Sequence, residues 1–179
     1  MTRAPAGIRR PALAGLVLLV GAIAAAAGFW IHAQRLEAIA MPIDALWAAE
    51  FKDLAGLPVK MSTLKGQPLV VNFWATWCGP CIEEMPDFQR ASQTDRGKKV
   101  KFVGIGIDYA KNMKPFADKM GISYILLESG AQGLDILKSV GNTSGSLPFT
   151  LIIDRDGKVL QTKMGKLEYA DLMSAIDRF

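Results

Sequence analysis

Both cysteines of this 179-residue chain lie within five residues, Trp77-Cys78-Gly79-Pro80-Cys81. They follow Leu69-Val70-Val71-Asn72-Phe73-Trp74, an apolar, β-favouring run of strand length, and they open a stretch of helical pattern. A buried strand must therefore deliver the pair to the first turn of a helix. Two intervening residues in such a turn can bring the Cβ atoms within reach of a disulfide. Cys78 then stands at the helix N-terminus, where unpaired amides and the helix dipole favour a negative sulfur. Pro80 falls inside the first turn, where a missing amide hydrogen costs little. The pattern predicts Cys78 as an exposed nucleophile that attacks a partner disulfide. Cys81, one turn deeper, is the thiol that resolves the mixed disulfide.

Other uses of the pair fit less well. An inert staple closing so short a loop stabilises little through chain entropy. A four-ligand zinc site needs two more soft ligands, and the only histidine, His32, lies far from the pair in sequence. Haem attachment needs histidine directly after the second cysteine, where Ile82 stands. Two cysteines also exclude a disulfide-rich scaffold. With 50% apolar and 21% charged residues, the chain has the balance of a globular protein rather than a disordered one.

The formal charge of +4 is concentrated at one end. Arg3, Arg9 and Arg10 carry three of those charges, and the remaining 18 Lys and Arg face 17 Asp and Glu. The body is near neutral, and Lys98, Lys99 and Lys101 form its densest basic cluster, better suited to a solvated turn than to nucleic acid. No nucleic-acid partner is expected. Residues 11–31 hold no charge and include Phe29 and Trp30 at their far end. As a helix this stretch would be about 31 Å long, matching a hydrocarbon core of about 30 Å. The expected organisation is a cytoplasmic basic tail over 1–10, a transmembrane anchor over 11–31, a tether over 32–48 and a soluble domain over 49–179. The arginines place the tail in the cytoplasm and the domain across the membrane. A cleaved signal is the alternative, with small-residue sites at Ala24-Ala25-Ala26 or Ala38-Ile39-Ala40, and it delivers the domain to the same compartment.

Within the domain, strands are predicted over 58–61, 69–74, 101–107, 124–127, 149–153 and 159–164. Helices are predicted over 81–94, 111–120, 132–140 and 168–178. Asp156-Gly157 marks a hairpin between the last two strands. Strands alternating with helices, then a hairpin and a final helix, imply an α/β fold with a mixed sheet covered on both faces.

The stretch Asn72-Phe73-Trp74-Ala75-Thr76-Trp77-Cys78-Gly79-Pro80-Cys81-Ile82-Glu83-Glu84-Met85-Pro86 resembles the thioredoxin superfamily, in its membrane-anchored TlpA/ResA-like branch. The likeness continues through the strand ending at Asp108, through Leu147-Pro148-Phe149-Thr150 and through Ile153-Asp154-Arg155-Asp156-Gly157-Lys158, and covers roughly residues 50 to 179. It implies a thioredoxin fold with an N-terminal transmembrane helix. It also implies a cis-proline at Pro148 opposite the cysteines, and a Leu147 backbone offered to an extended partner peptide. Trp77, Gly79 and Pro80 then belong to the substrate-facing surface, and Trp74 to the core. The resemblance gives Glu84 a place beside the thiols. On a helix Glu84 shares a face with Cys81, so a partly buried carboxylate there could take its proton, while Glu83 is expected to be solvated. Two departures from thioredoxin itself are visible: Asn72 replaces its buried aspartate and Gly104 the lysine paired with it.

The function these readings predict is a bacterial inner-membrane thiol–disulfide oxidoreductase with its domain in the periplasm. It reduces protein disulfides, such as those of apocytochrome c or a copper-site protein, and is recharged by a membrane electron donor. No cofactor or metal is expected beyond the Cys78–Cys81 pair itself. The alternatives are a thiol oxidant that introduces disulfides and a copper carrier that would need Met85 or Met164 as its third ligand. A peroxidase is disfavoured because both cysteines sit in one helix-opening pair.

Overall fold

The computed structural model describes residues 43–179 together with positions 21, 23–26 and 28. Two units are distinguished, Met1–Ala40 and Met41–Phe179. In the first, the described positions are helical and exposed. The expected tail, most of the anchor over 11–31 and the tether as far as residue 42 lie outside the described residues. Among the described residues, no helix is long and apolar enough to cross a membrane.

In the second unit, strand β3 (Leu69–Trp74) is buried at every position. It pairs in parallel with β4 (Lys101–Gly106) and antiparallel with β6 (Phe149–Ile153). Outward from β4 come β5 (Ile125–Glu128), β1 (Glu50–Asp53) and β2 (Pro58–Lys60), and outward from β6 comes β7 (Val159–Met164). The sheet order is β2-β1-β5-β4-β3-β6-β7, a mixed sheet of the thioredoxin kind.

The two-residue period of a strand splits β3 between two cores. Leu69, Val71 and Phe73 pack with α1 (Asp44–Ala48) and α4 (Gln132–Ser139) on one face. Val70 and Trp74 pack on the other face, with α2 (Gly79–Gln93), α3 (Ala110–Met120) and α5 (Tyr169–Ile176). Each fully buried large apolar side chain contributes about 1.5–3 kcal/mol relative to exposure. Asn72 lies on the second face. Its strand register places it opposite Gly104 on β4 and Thr150 on β6.

Helix α2 buries Cys81, Glu84, Met85, Phe88, Gln89 and Ala91, one stripe at helical spacing. Pro86 interrupts its hydrogen-bond ladder without ending it. Helix α3 likewise runs through Pro115 and stops at Gly121, whose φ of 65° is the left-handed conformation that suits glycine there. In the β6–β7 hairpin the Asp154 carboxylate accepts the amides of Asp156 and Lys158, and Gly157 turns the chain with φ 81°.

Two boundaries differ from expectation. Ile43, Leu46 and Trp47 are buried in the first core, so folded structure begins before residue 49. Trp47 packs over Gly157 of the hairpin, which fixes α1 to the sheet. Strand β1 was not expected. Phe51 is its one buried residue, and tertiary pairing with β2 and β5 orders it.

Candidate active site

The turn from β3 into α2 carries the cysteines. The Cys78 amide donates to the Ala75 carbonyl at 3.2 Å and closes that turn. Cys78 is the N-cap of α2, and its Sγ accepts the Cys81 amide at 3.3 Å. The sulfurs are joined in a disulfide, with the Cα atoms 5.3 Å apart. A helix-terminal amide therefore points at Cys78 Sγ, where it would stabilise a thiolate once the bond is reduced.

The expected exposure of Cys78 needs correction. In this oxidised form Cys78 is 7% exposed and Cys81 is fully buried. Turning Sγ onto the helix amide draws it into the cluster of Trp74, Ala75, Met85, Met113 and Leu126. The outward surface here consists of Trp77, 69% exposed, with Gly79 and Pro80.

Leu147-Pro148 approaches from the start of β6. The peptide bond between them is cis, Pro148 is buried, and the half-buried Leu147 packs against the cluster that holds the cysteines. The Pro148 carbonyl accepts the Gly165 amide at 2.8 Å, which ties this corner to the end of β7.

Glu84 is wholly buried rather than partly so. Oε1 accepts Asn72 Nδ2 at 2.7 Å, and Oε2 accepts the Leu167 amide at 2.8 Å. Burial raises its pKa to about 7, and the bonds from Leu167 and Asn72, with the Lys166 charge, offset only part of the cost. Lys166 itself reaches Glu83 at 3.6 Å and Glu168 at 3.3 Å. Glu83 is exposed and engaged there, while Glu84 is held by neutral donors. The Tyr124 hydroxyl is also buried, without a partner, and desolvation followed by the Glu84 charge pushes its pKa up.

Asp108 was expected only as the end of a strand, yet it holds the active-site turn. Its buried carboxylate accepts the Thr76 amide at 3.2 Å, the Thr76 hydroxyl, the Tyr109 amide at 2.8 Å and Asn112 Nδ2 at 2.7 Å. Burial pushes this carboxyl up, but the bonds from Thr76, Asn112 and Tyr109 together outweigh it and leave the pKa below its ordinary value. Its signal in the sequence was an acid directly after an apolar strand. Thr150, bonded to Asn72 at 3.1 Å, was also missed, although a hydroxyl amid Phe149 and Leu151-Ile152-Ile153 invites notice.

Among the described residues, no three His, Cys, Asp or Glu side chains gather as a metal site. Of the methionines considered for copper, Met85 is buried with the cysteines and Met164 is half exposed on β7. What the arrangement can do is exchange disulfides. It has a sulfur at a helix terminus, a second sulfur behind it and a buried carboxyl on the same helix that titrates near neutral pH.

Residues 41–175 match the Redoxin family. The chain is 31% identical over 116 residues to the thiol-disulfide oxidoreductase ResA of Bacillus thuringiensis (strain Al Hakam), covering 64% of each chain, so it spans less than two thirds of that relative's length. Against the ResA of Geobacillus thermodenitrificans (strain NG80-2) the identity is 28% over 167 residues, 90% of each chain. The crystal structure of a thioredoxin-related protein from Neisseria meningitidis serogroup B superimposes with a TM-score of 0.64 at 32% identity, over 72% of this chain and 97% of that one.

Proposed function

The chain belongs to the Redoxin family, within the TlpA/ResA-like branch of the thioredoxin superfamily, and from that premise we propose that it is a protein-disulfide reductase. The carrying observation is the Cys78–Cys81 disulfide at the N-terminus of α2, with Glu84 buried on the same helix.

In the reduced enzyme the Cys78 thiolate attacks one sulfur of a substrate disulfide. A Cys78–substrate bond forms, the substrate disulfide breaks, and the departing substrate sulfur leaves as a thiolate. Cys81 then loses its proton to Glu84 and attacks Cys78 Sγ. The mixed disulfide breaks, the second substrate thiolate departs, and the Cys78–Cys81 bond remains. Two electrons have moved to the substrate, and the thiolates collect protons from Glu84 and water. A dithiol donor reverses the sequence and restores the enzyme. Trp77, Gly79, Pro80 and Leu147 form the surface on which the substrate lies, with the backbone of Leu147 available to an extended peptide.

The uncharged segment 11–31, preceded by three arginines, supports a retained anchor with the domain on the periplasmic face of a bacterial inner membrane. A disulfide-bearing partner in that compartment, of the apocytochrome c or copper-site type, and a membrane dithiol donor complete the reading. The thiol–disulfide oxidoreductase activity of the ResA relatives supports the chemistry.

Equilibration with glutathione tests the direction. A potential in the range of reducing members, about −270 mV, is expected, and a value near −120 mV would make the protein an oxidant instead. Cys78→Ser should abolish insulin reduction, and Cys81→Ser should accumulate the mixed disulfide. Surviving activity in the first variant would show that Cys78 is not the nucleophile.

A further inference from the structure

Asn72 is buried, and both hydrogens of its amide are used: Nδ2 donates to Glu84 Oε1 at 2.7 Å and to Thr150 Oγ1 at 3.1 Å. Its Oδ1 is equally buried and has no partner. An unpaired carbonyl is costly in such a place, and a site that tolerates one has a reason to. The two ends of a carboxamide are nearly the same shape. Turning the amide over would put Oδ1 where Nδ2 now stands, within hydrogen-bond distance of both Glu84 and Thr150.

The partners differ in what they permit. The Leu167 amide can only donate to Glu84, so it fixes Oε2 as an acceptor. Oε1 accepts as a carboxylate and donates once protonated. The Thr150 hydroxyl does either, so it suits both orientations of the amide. We propose that Asn72 is the positioning residue for Glu84, its amide presenting N–H to the carboxylate and turning its carbonyl to the acid when Glu84 takes up a proton. Proton transfer from Cys81 then needs no charged partner inside the core. The same turn reverses the Thr150 hydroxyl, two residues beyond Pro148, and so carries the protonation state of Glu84 into strand β6.

The other ionisable groups around Glu84 leave this role open. Lys166 is occupied with Glu83 and Glu168 in the loop leading into α5 and at the solvent side of α2. Tyr124, leading into β5, stays neutral, since burial and the nearby Glu84 both raise its pKa. Cys81 on α2 is the proton source, and β3 and β6 offer only Asn72 and Thr150.

The inference deepens the reductase reading, but its test needs no exchange activity. In the oxidised full-length chain the Glu84 carboxyl is followed by carbon NMR across pH, and the Asn72 side-chain amide by nitrogen NMR in the same samples. The amide signals should move with the midpoint of Glu84. Asn72→Leu should raise that midpoint by about one unit, a tenfold gain in proton affinity, because the N–H bond to the charged carboxylate is worth more than the carbonyl bond to the neutral acid. Amide signals that stay flat through the Glu84 titration would overturn the proposal, as would an unchanged midpoint in a folded Asn72→Leu variant. If that variant does not fold, the wild-type titration decides alone. A chain that passes this test yet reduces no disulfide would refute the reductase reading and leave the role of Asn72 standing.

Discussion

Glu84 sets the pH behaviour of the fold as well as that of the site. Its pKa is raised by burial to about 7 from an ordinary 4.5. Between those values the folded chain keeps a proton that the unfolded chain releases. The contribution of Glu84 to stability is therefore full below about pH 4.5, falls as pH rises toward 7 and levels off above it. The whole fall is about 3 kcal/mol. In Glu84→Gln this slope should vanish, because the amide does not titrate. Urea denaturation at several values between pH 4 and 8 checks it, and parallel profiles for the two proteins would mean that Glu84 titrates at its ordinary value. How much of the site is legible in sequence follows from the reach of each contact. The cysteines, and Glu84 three residues beyond Cys81, are local and open to reading. Asn72 stands out as the polar residue of an apolar strand. Its partner Thr150 lies 78 positions away, and only the β3–β6 register brings them together.

At the scale of elements, the loop after β3 and the loop after β4 act as one piece, because Asp108 bonds to Thr76 as well as to its own neighbours Tyr109 and Asn112. Asp108→Ala leaves the Thr76 and Tyr109 amides without their acceptor in a poorly solvated place. The expected loss is about 1–3 kcal/mol in urea denaturation, with slower disulfide exchange as the Ala75–Cys78 turn loosens. Because the pKa of Asp108 is held below its ordinary value, its contribution is present above about pH 4 and fades as pH falls through the folded value. A variant with wild-type midpoints at pH 7 would show that the clamp holds nothing. The elements themselves divide by how strongly pattern alone marks them. Strands β3, β4 and β6 are continuous apolar runs, and their places are expected from sequence. Strand β1 is four residues long with Phe51 alone buried, and α1 is five residues beside Pro42, too short for periodicity to speak. Both are made by the tertiary contacts of Phe51, Leu46 and Trp47.

For the molecule as a whole, the open matter is where the reaction takes place. The arginines at 3, 9 and 10 carry three of the four net charges of the chain, the stretch 11–31 carries none, and the body is close to neutral. A neutral domain has little electrostatic attraction for a lipid surface, so any membrane residence must come from that stretch. Eleven residues separate it from Ile43, a connection that spans at most about 38 Å when fully extended. A retained anchor would therefore keep Cys78 close to the bilayer, within reach of membrane-bound dithiols and of substrates delivered there. The full chain should stay with the membrane fraction through alkaline carbonate washing, and a version beginning at Met41 should appear in the soluble fraction. That shorter version should reduce a small synthetic disulfide at the full-length rate, since none of the site residues lies in the missing segment. Its exchange with a membrane dithiol donor should slow by the loss of local concentration. Release of the full chain by carbonate would identify residues 11–31 as a leader rather than an anchor. The chemistry at Cys78 would then be freely diffusing.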